Sequence, residues 1–475
     1  MTRFTDLFDT ARHQFQNKTL FDQARDHAFD YMAQIHGTEN DGKAPARPVF
    51  PHPDAVEGLD VFDEPLPREP GVGEEILETL HTHGSPATVA QSGGRYFGFV
   101  NGSSFPVALA ARWLADIWDQ NAALNVMSPA AARLEQVCEA WLKELFGLPK
   151  ETVAGFVSGT SAATLCGLAA ARNQILSRMG WDVRSKGLFN APKPRVILGE
   201  QAHSTVFKAL SLIGFGMDDL EQIPCDSQGR MRADLLPEID KTCMVIAQAG
   251  NVNTGAFDRL DDICEQAKDA WVHVDGAFGL WAAGSSNCSH LTRGLEKADS
   301  WSVDAHKTLN TPYDCGIILC RHSDALVSAL QNSGDYIIYG DRRDPMLYTP
   351  EMSRRARGVE LWATMKFLGK SGIQALVDRL CARAQNMGRQ LEEKGFILHN
   401  DVVFNQVLVS CPDENITKAI LVHLQEDGTC WCSSSIWQGK AAIRISVCSW
   451  VTTDGDIDAS VRAFVRAREM AEAGS

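Results

Sequence analysis

The chain has 475 residues, 44% hydrophobic and 22% charged, which is typical of a globular protein with one large domain and smaller ones. Its formal net charge of −15 argues against nucleic acid or an anionic membrane as a partner. No apolar run is long enough to span a bilayer, no signal-peptide core opens the chain, and the 13 scattered cysteines are typical of reduced thiols, so we expect a cytoplasmic protein.

The first segment carries a helical hydrophobic period over residues 4–36. A loop rich in glycine, proline and charge follows it, up to about residue 70. We assign residues 1–74 to an N-terminal helical arm and connector. Such an arm either wraps a partner subunit or packs on its own domain, and the sequence leaves both open.

Residues 75–355 alternate helical stretches with short β-rich runs. Ser128 and Pro129 are typical of a helix start, and apolar runs at 195–200, 243–250, 271–277 and 315–321 indicate strands. This alternation predicts a large α/β domain with a mostly parallel sheet covered on both faces. Ligands bind beyond the carboxyl ends of the strands in such sheets.

Residues 356–475 differ in pattern from the large domain. A long helical stretch leads into the β-rich runs FNQVLVSC and AAIRISVC, and a final helix follows. We predict a small C-terminal α+β domain.

An acid and a lysine stand where two strand patterns end. Asp275 closes the run WVHVD, and Lys307 follows SWSVDAH. A lysine can form a Schiff base with pyridoxal 5′-phosphate (PLP), while an acid keeps the pyridine nitrogen protonated. Ala277 is small enough to let a cofactor ring lie close to the strand. The alternatives are a solvated surface lysine and a helix-capping aspartate.

Two further segments fit the same cofactor. Gly159, Thr160 and Ser161 form a small-residue turn that opens into a helix, where backbone N–H groups bind phosphate. His203 follows the strand RVILGE and could stack on the pyridine ring or transfer a proton. Each segment has a plain alternative, because Ser, Thr and His also cap helices.

Arg444 lies inside the apolar strand AAIRISVC, where an arginine rarely lacks a partner. It could clamp a substrate carboxylate with two hydrogen bonds or form an internal ion pair. Cys430 and Cys432 form the one close cysteine pair. We predict no metal site, because no second pair at zinc-site spacing accompanies them.

Taken together, the motifs resemble the group II PLP-dependent amino acid decarboxylases, the family of aromatic amino acid, glutamate and diaminobutyrate decarboxylases. The resemblance covers about residues 75–460 and rests on motifs in the family's order: RYFGFVNG, SGTSAATLCGLAAAR, AHSTVFKAL, GNVNTGAF, HVDGAFG, DAHKTLNTPYDCG and SRRARGVELWATMKFLG. It implies an aspartate aminotransferase-like fold of PLP enzymes (fold type I). It also implies a homodimer with a shared active site.

The resemblance assigns roles residue by residue. Lys307 would form the internal aldimine, Asp275 would bind the pyridine nitrogen, and His203 would stack on the ring. Asp304 and His306 would join the phosphate turn around the cofactor. A tyrosine on a mobile loop of the neighbouring subunit would return a proton, and the candidates here are Tyr336, Tyr339 and Tyr348. The substrate would lie near residues 96–105, with Phe97 and Phe99 in the pocket.

The chain departs from the family near the lysine. Thr308 stands where many relatives have tryptophan, which puts an aromatic substrate in doubt. Asn251 and Val252 stand where some relatives have threonines. The amino acid substrate is therefore open.

The expected reaction is α-decarboxylation of an L-amino acid to an amine. The same scaffold also supports carbon–carbon lyases, aldolases and oxidative deaminases, and a decarboxylase-like binding protein without turnover is a further alternative. A Rossmann-type oxidoreductase is disfavoured, because no G-x-G-x-x-G follows a strand.

Overall fold

A seven-stranded sheet forms the centre of the computed structural model, which describes residues 2–36, 47–331 and 342–474. In space the strands run β1-β7-β6-β5-β4-β2-β3; β7 is antiparallel to both of its neighbours, β1 and β6, and the remaining pairs are parallel. Most of these strands are apolar and buried along their length, as parallel strands covered on both faces must be. The strands are β1 (Val153–Val157), β2 (Arg195–Gly199), β3 (Leu220–Ile223), β4 (Cys243–Gln248), β5 (Trp271–Asp275), β6 (Ser300–Asp304) and β7 (Gly316–Cys320).

Helices cover both faces of this sheet, which confirms the predicted α/β class. Alternate strand residues enter two apolar clusters, because side chains alternate between the faces of a sheet. Ile317 belongs to one cluster, with Leu142 and Leu361, whereas Ile318 belongs to the other, with Ala170 and Leu326. The helices are α1 (Thr2–Asn17), α2 (Thr19–His36), α3 (Pro53–Glu57), α4 (Gly73–Thr79), α5 (Ser85–Ala87), α6 (Pro106–Trp118), α7 (Pro129–Phe146), α8 (Thr160–Arg178), α9 (Val183–Lys186), α10 (Ser204–Leu212), α11 (Leu260–Gln266), α12 (Ser323–Leu330), α13 (Gly358–Glu393), α14 (Glu414–Asp427) and α15 (Asp454–Ala473).

A second, antiparallel sheet has four strands in the order β10-β11-β9-β8. It contains both β-rich runs predicted in the C-terminal segment. Its strands are β8 (Ile397–Leu398), β9 (Gln406–Ser410), β10 (Ser433–Trp437) and β11 (Lys440–Ser446).

The chain forms two compact units. One comprises Met1–Tyr96, Ala419–Cys432 and Val451–Ser475, and the other comprises Phe97–Lys418 and Ser433–Trp450. Both sheets lie in the second unit, whereas α1–α5 and α15 lie in the first. The division predicted from the sequence, with boundaries at 74 and 355, stays a prediction. Within residues 2–36, 47–331 and 342–474, no helix is both long and apolar enough to cross a membrane.

The N-terminal helical period corresponds to two helices. Lys18 separates α1 from α2 and adopts a left-handed conformation with φ of 62°, which breaks the run of helical backbone angles. The start of α7 follows the sequence signals in part. Pro129 is its first residue, but the Ser128 side chain makes no capping hydrogen bond.

Candidate active site

Two acids end neighbouring parallel strands at the same edge of the large sheet. Asp275 is the last residue of β5 and Asp304 the last of β6, and Asp275 is in register with Ser302 of β6. Both carboxylates are buried. Parallel strands deliver their carboxyl ends to one edge, so the chain brings both acids to the place where ligands bind in this architecture.

Burial dominates the electrostatics of Asp275. Desolvation raises its pKa, and the positive charges of His203 and Lys307 offset that effect only in part. The carboxylate accepts a hydrogen bond of 3.3 Å from the N–H of Ala277. A buried carboxylate with so little protein hydrogen bonding is costly unless a cationic or donor group meets it.

Lys307 lies within reach of the second acid. Its Nζ is 3.0 Å from Asp304 Oδ2, and the lysine side chain is 20% exposed. The other Asp304 oxygen, Oδ1, accepts a hydrogen bond of 2.6 Å from the N–H of Thr160, the first residue of α8. Asp304 therefore ties the lysine to the helix that begins with the predicted phosphate turn.

His306 completes this group of residues. Its Nε2 is 3.6 Å from Asp304 Oδ2, and its Nδ1 accepts a hydrogen bond of 3.1 Å from the N–H of Cys315. Burial lowers the pKa of His306, although Asp304 acts in the opposite direction. With Nδ1 occupied as an acceptor, a neutral imidazole directs the N–H of Nε2 toward the site.

The start of α8 fits a phosphate group. The Thr160 hydroxyl oxygen is buried and has no hydrogen-bond partner among the described residues, while Ser161 beside it is exposed. Gly159 precedes the helix in an extended conformation and is closely approached by Gly316, where a Cβ would overlap the Gly159 backbone. An orphaned hydroxyl at a helix N-terminus matches an anionic ligand with acceptor oxygens.

His203 has the helix-capping role that was the alternative for it, and it also lies near Asp275. It caps α10, since its Nδ1 accepts a hydrogen bond from the N–H of Thr205, and it lines one pocket together with Asp275. Burial lowers its pKa, while Asp275 raises it and Lys307 and Arg444 lower it further. The predicted stacking histidine therefore lies in the same electrostatic environment as the acid, the lysine and Arg444.

The predicted substrate residues also lie together. Arg444 is in β11, with its guanidinium carbon 6.0 Å from the centre of the Phe99 ring. The carbonyl of the buried Phe97 accepts a hydrogen bond of 2.9 Å from the N–H of Ser446. Phe99 is 58% exposed and has a left-handed φ of 51°, so its ring projects from a tight turn beside β11.

The three predicted loop tyrosines have different outcomes. Tyr336 and Tyr339 lie outside the described residues. Tyr348 ends a short 3₁₀ turn, where the Arg343 guanidinium carbon lies 4.2 Å from the centre of its ring and its carbonyl faces Gly155 of β1. Among the described residues, no recorded contact joins Tyr348 to Lys307, so the role of Tyr348 stays a prediction.

One aromatic residue at the site escaped the sequence interpretation. The Tyr313 ring lies 4.2 Å from the His306 ring, and its hydroxyl donates a hydrogen bond of 2.7 Å to Asn101 Oδ1. The neighbouring Gly102 lies against the Lys307 carbonyl, where a Cβ would overlap it. The signal was present in the sequence, because Tyr313 belongs to the DAHKTLNTPYDCG motif.

Thr308, which stands beside the lysine where many relatives have tryptophan, makes a structural contact. It is fully buried, and its hydroxyl donates a hydrogen bond of 2.8 Å to the carbonyl of Phe278. The predicted Ala277 is half-buried, and its carbonyl accepts a hydrogen bond from the N–H of Asp304, which joins the two strand ends.

Known structures share this fold. Oryza sativa TDC with PLP and tryptamine matches with a TM-score of 0.85 and 20% identity over 95% of this chain and 97% of that one. Mouse CSAD matches with a TM-score of 0.85 and 21% identity over 95% of this chain and 98% of that one. These likenesses confirm the predicted fold type I architecture.

Sequence comparison adds the family. Aromatic-L-amino-acid decarboxylase of Bacillus atrophaeus is 28% identical over 332 residues, which cover 66% of each chain. L-2,4-diaminobutyrate decarboxylase of Rhizobium meliloti (strain 1021) is 31% identical over 286 residues, covering 57% of this chain and 53% of that protein. The chain thus spans about half to two thirds of the length of these relatives. The model of the pyridoxal-dependent decarboxylase conserved domain matches residues 58–410. This match confirms the predicted cofactor class, and the chain belongs to the family of pyridoxal-dependent decarboxylases.

Proposed function

We propose that the protein is a PLP-dependent carboxy-lyase that releases CO2 from an L-amino acid and leaves an amine. One observation carries the proposal: the buried Asp275 ends β5 beside the end of β6, where Asp304 lies 3.0 Å from Lys307 Nζ, and His203 lines the same pocket as Asp275. That arrangement supplies an amine to hold the cofactor and an acid to hold its ring cationic. The names of the relatives agree with this reaction.

The cofactor supplies an acceptor for the electron pair that remains when the bond to the carboxyl group breaks. Asp275 would hold the ring nitrogen in its positively charged form, because a buried carboxylate is stabilised by a cationic partner. Lys307 provides the attaching amine, and Asp304, 3.0 Å from its Nζ, holds that amine at the end of β6. Ala277 leaves room for the ring beside the strand.

The phosphate would lie at the start of α8. The unpartnered Thr160 hydroxyl supports this position, and Gly159 and Ser161 frame the same turn. His306 directs its Nε2 toward Asp304 and the turn. Asp304 already occupies the N–H of Thr160, so it orients the turn and neighbouring groups supply the contacts to the anion.

The substrate would lie between His203 and β11. Arg444 provides a planar cation that matches a carboxylate, and Phe97 and Phe99 form the adjoining wall. His203 would face the cofactor ring and would offer an imidazole for proton transfer. A loop tyrosine of a second copy, Tyr336, Tyr339 or Tyr348, is the other source of the proton that replaces CO2.

The active site is proposed to be shared in a homodimer. Helix α6 exposes an apolar face formed by Trp113, Leu114, Ile117 and Trp118, each about half exposed. Such a contiguous apolar face is typical of a protein–protein interface, and a second copy of this chain is the occupant we propose. Sedimentation of the purified protein as a dimer, and as a monomer after Ile117→Glu, would support this assembly; a monomeric wild-type protein would refute it.

We also propose a reducing compartment, the cytoplasm. The described cysteines are all free, and all but the half-buried Cys225 are buried. Thiols in this state are typical of proteins outside the oxidising secretory pathway.

The test is product analysis with a panel of amino acids. Purified protein with PLP is offered the twenty amino acids and common diamino acids, while CO2, amine and aldehyde are measured. We expect CO2 and amine in equal amounts from one substrate class, and loss of both in Lys307→Ala. The matched control is Lys208→Ala, which removes an exposed lysine of α10 and leaves turnover unchanged.

Each contrary outcome selects another function. Aldehyde in place of amine indicates oxidative deamination on the same scaffold. Retention of PLP without turnover of any amino acid indicates a binding protein. An absorption spectrum of Lys307→Ala with PLP that equals the wild-type spectrum would refute the attachment site itself.

A further inference from the structure

The N-terminal helices carry a cluster of imidazole and carboxylate groups that the proposed reaction does not use. His27 and Asp30 are one helical turn apart on α2, and His81 lies in a single π-helical turn, Leu80–Gly84, that follows α4. One ligand atom from each of these three residues lies within 4.8 Å of the other two. All belong to the same compact unit.

The two histidine rings stack on each other, and each has a buried nitrogen that makes no hydrogen bond. Their rings stack with centroids 3.9 Å apart and planes 10° apart. His27 Nε2 and His81 Nδ1 are both buried and make no hydrogen bond among the described residues, although the Glu78 carboxylate lies 3.4 Å from His27 Nε2. Leaving a buried polar atom without a hydrogen bond costs about 1–3 kcal/mol, so two such nitrogens side by side point to a ligand that satisfies both.

The charge around the cluster favours a cation. Glu78 lies on α4, with its carboxylate Oε2 3.4 Å from His27 Nε2, and Asp30 is exposed beside the rings. The two carboxylates give the cluster two negative charges that a cation would offset. Nitrogen and oxygen ligands in this combination match Zn²⁺, which binds imidazole and carboxylate at about 2.0–2.2 Å.

We propose that His27, Asp30 and His81 form a Zn²⁺ site that links α2 to the turn after α4. Ligand atoms around a tetrahedral ion at these bond lengths are about 3.4 Å apart, so the side chains move inward by roughly 1 Å from their present 4.8 Å limit. The rings also turn away from their parallel stack, because each lone pair lies in its ring plane. Asp30 is free to follow, since its side chain is exposed.

A hydrogen bond between α2 and α4 already keeps the proposed ligands close to one another. The Gln23 side chain donates a hydrogen bond of 3.0 Å to the carbonyl of Glu74, which fixes α2 against α4 one turn before the cluster. A π-helical turn is rare and is frequently associated with a functional site. Zn²⁺ would therefore add a cross-link to a contact that exists without it, and the holoprotein should fold with or without the metal.

The experiment measures zinc content and affinity in the purified protein with PLP bound. After equilibration with Zn²⁺ and dialysis, elemental analysis should find about one zinc per chain in the wild type. Competition with a chromophoric chelator should show at least tenfold weaker binding in His27→Gln and in His81→Gln. His83→Gln, in the same π-helical turn, is the matched control and should keep wild-type affinity.

Two additional measurements make the result decisive. Asp30→Asn changes an exposed side chain, so it keeps the fold and decides the case if a histidine variant does not fold; it should also bind zinc at least tenfold more weakly. Zinc should raise the melting temperature of the wild type and not that of His81→Gln. A wild type that retains no zinc, or variants that all retain it equally because the thiols bind it, would overturn the proposal.

Discussion

Asp275→Asn separates the function of the buried acid from its effect on folding. The amide keeps the size of the side chain but cannot carry the negative charge that holds a pyridine nitrogen protonated. Removing one partner of a buried ion pair costs about 3–5 kcal/mol. At 1.36 kcal/mol per tenfold change in rate, we expect the turnover number of the PLP-bound variant to fall roughly 10²- to 10⁴-fold.

In the cofactor-free protein, Asp275→Asn should leave the stability unchanged or increase it. The pKa of Asp275 is raised by burial, so the folded state binds its proton more tightly than the unfolded state does, and the carboxylate contributes unfavourably at neutral pH. Its hydrogen bond from Ala277 is 3.3 Å long and contributes little. The free energy of unfolding of the cofactor-free variant should equal or exceed that of the wild type.

Asp258→Asn is the matched control. Asp258 is also buried, with a pKa raised to about 6, but its oxygens accept hydrogen bonds of 2.7 Å from the N–H groups of Met231 and Gln248. The amide can accept only one of them well, so unfolding should require about 1–3 kcal/mol less, while the folded variant keeps its turnover number. Urea unfolding of both cofactor-free variants and turnover with saturating PLP provide the comparison. Wild-type turnover in Asp275→Asn, or a loss of stability as large as in Asp258→Asn, would refute the reasoning.

Three other predictions concern the phosphate turn, the substrate carboxylate and acid stability. Thr160→Val replaces the unpartnered hydroxyl and should weaken PLP affinity about tenfold in a fluorescence titration, since one hydrogen bond to a charged group contributes about 1.5 kcal/mol; unchanged affinity would place the phosphate elsewhere. Arg444→Lys keeps the charge but loses the bidentate geometry, so kcat/KM should fall about 10- to 100-fold at an unchanged melting temperature, and an unaltered kcat/KM would exclude the clamp. Burial lowers the pKa of His273 to about 3, so its stabilising contribution is complete above its unfolded pKa of about 6.5 and is lost as the pH falls toward 3, by up to about 5 kcal/mol. In His273→Asn, the free energy of unfolding should decrease less between pH 6.5 and pH 3 than in the wild type, whereas His290→Asn, at an exposed position, should behave like the wild type. The same decrease in His273→Asn and in the wild type would contradict the assignment.

The positions of several candidate-site residues at strand and helix ends could be predicted, because such ends are local features of the sequence. Asp275 and Asp304 end apolar runs that are buried strands, and parallel neighbours bring such ends to one edge. Gly159 and Thr160 stand directly before a helix, so their position at its N-terminus follows from local sequence as well. The short edge strands β1 and β3 were not predicted. Their sequences, VAGFV and LEQI, contain glycine or charge, which weakens the strand pattern. These strands form because they pair with β7 and β2 in the folded sheet.

Local sequence patterns predicted the class of sheet and the cofactor class, and they located Asp275 at a strand end, because periodicity and strand ends are local properties. The tertiary structure decided which groups meet across the chain. It joined Asp304 to Thr160 over 144 positions, set Arg444 beside Phe99, and placed Tyr313 on His306. It also assigned the Thr308 hydroxyl to the Phe278 carbonyl. Such contacts depend on how helices and sheets pack, and a linear pattern of residues does not specify that packing.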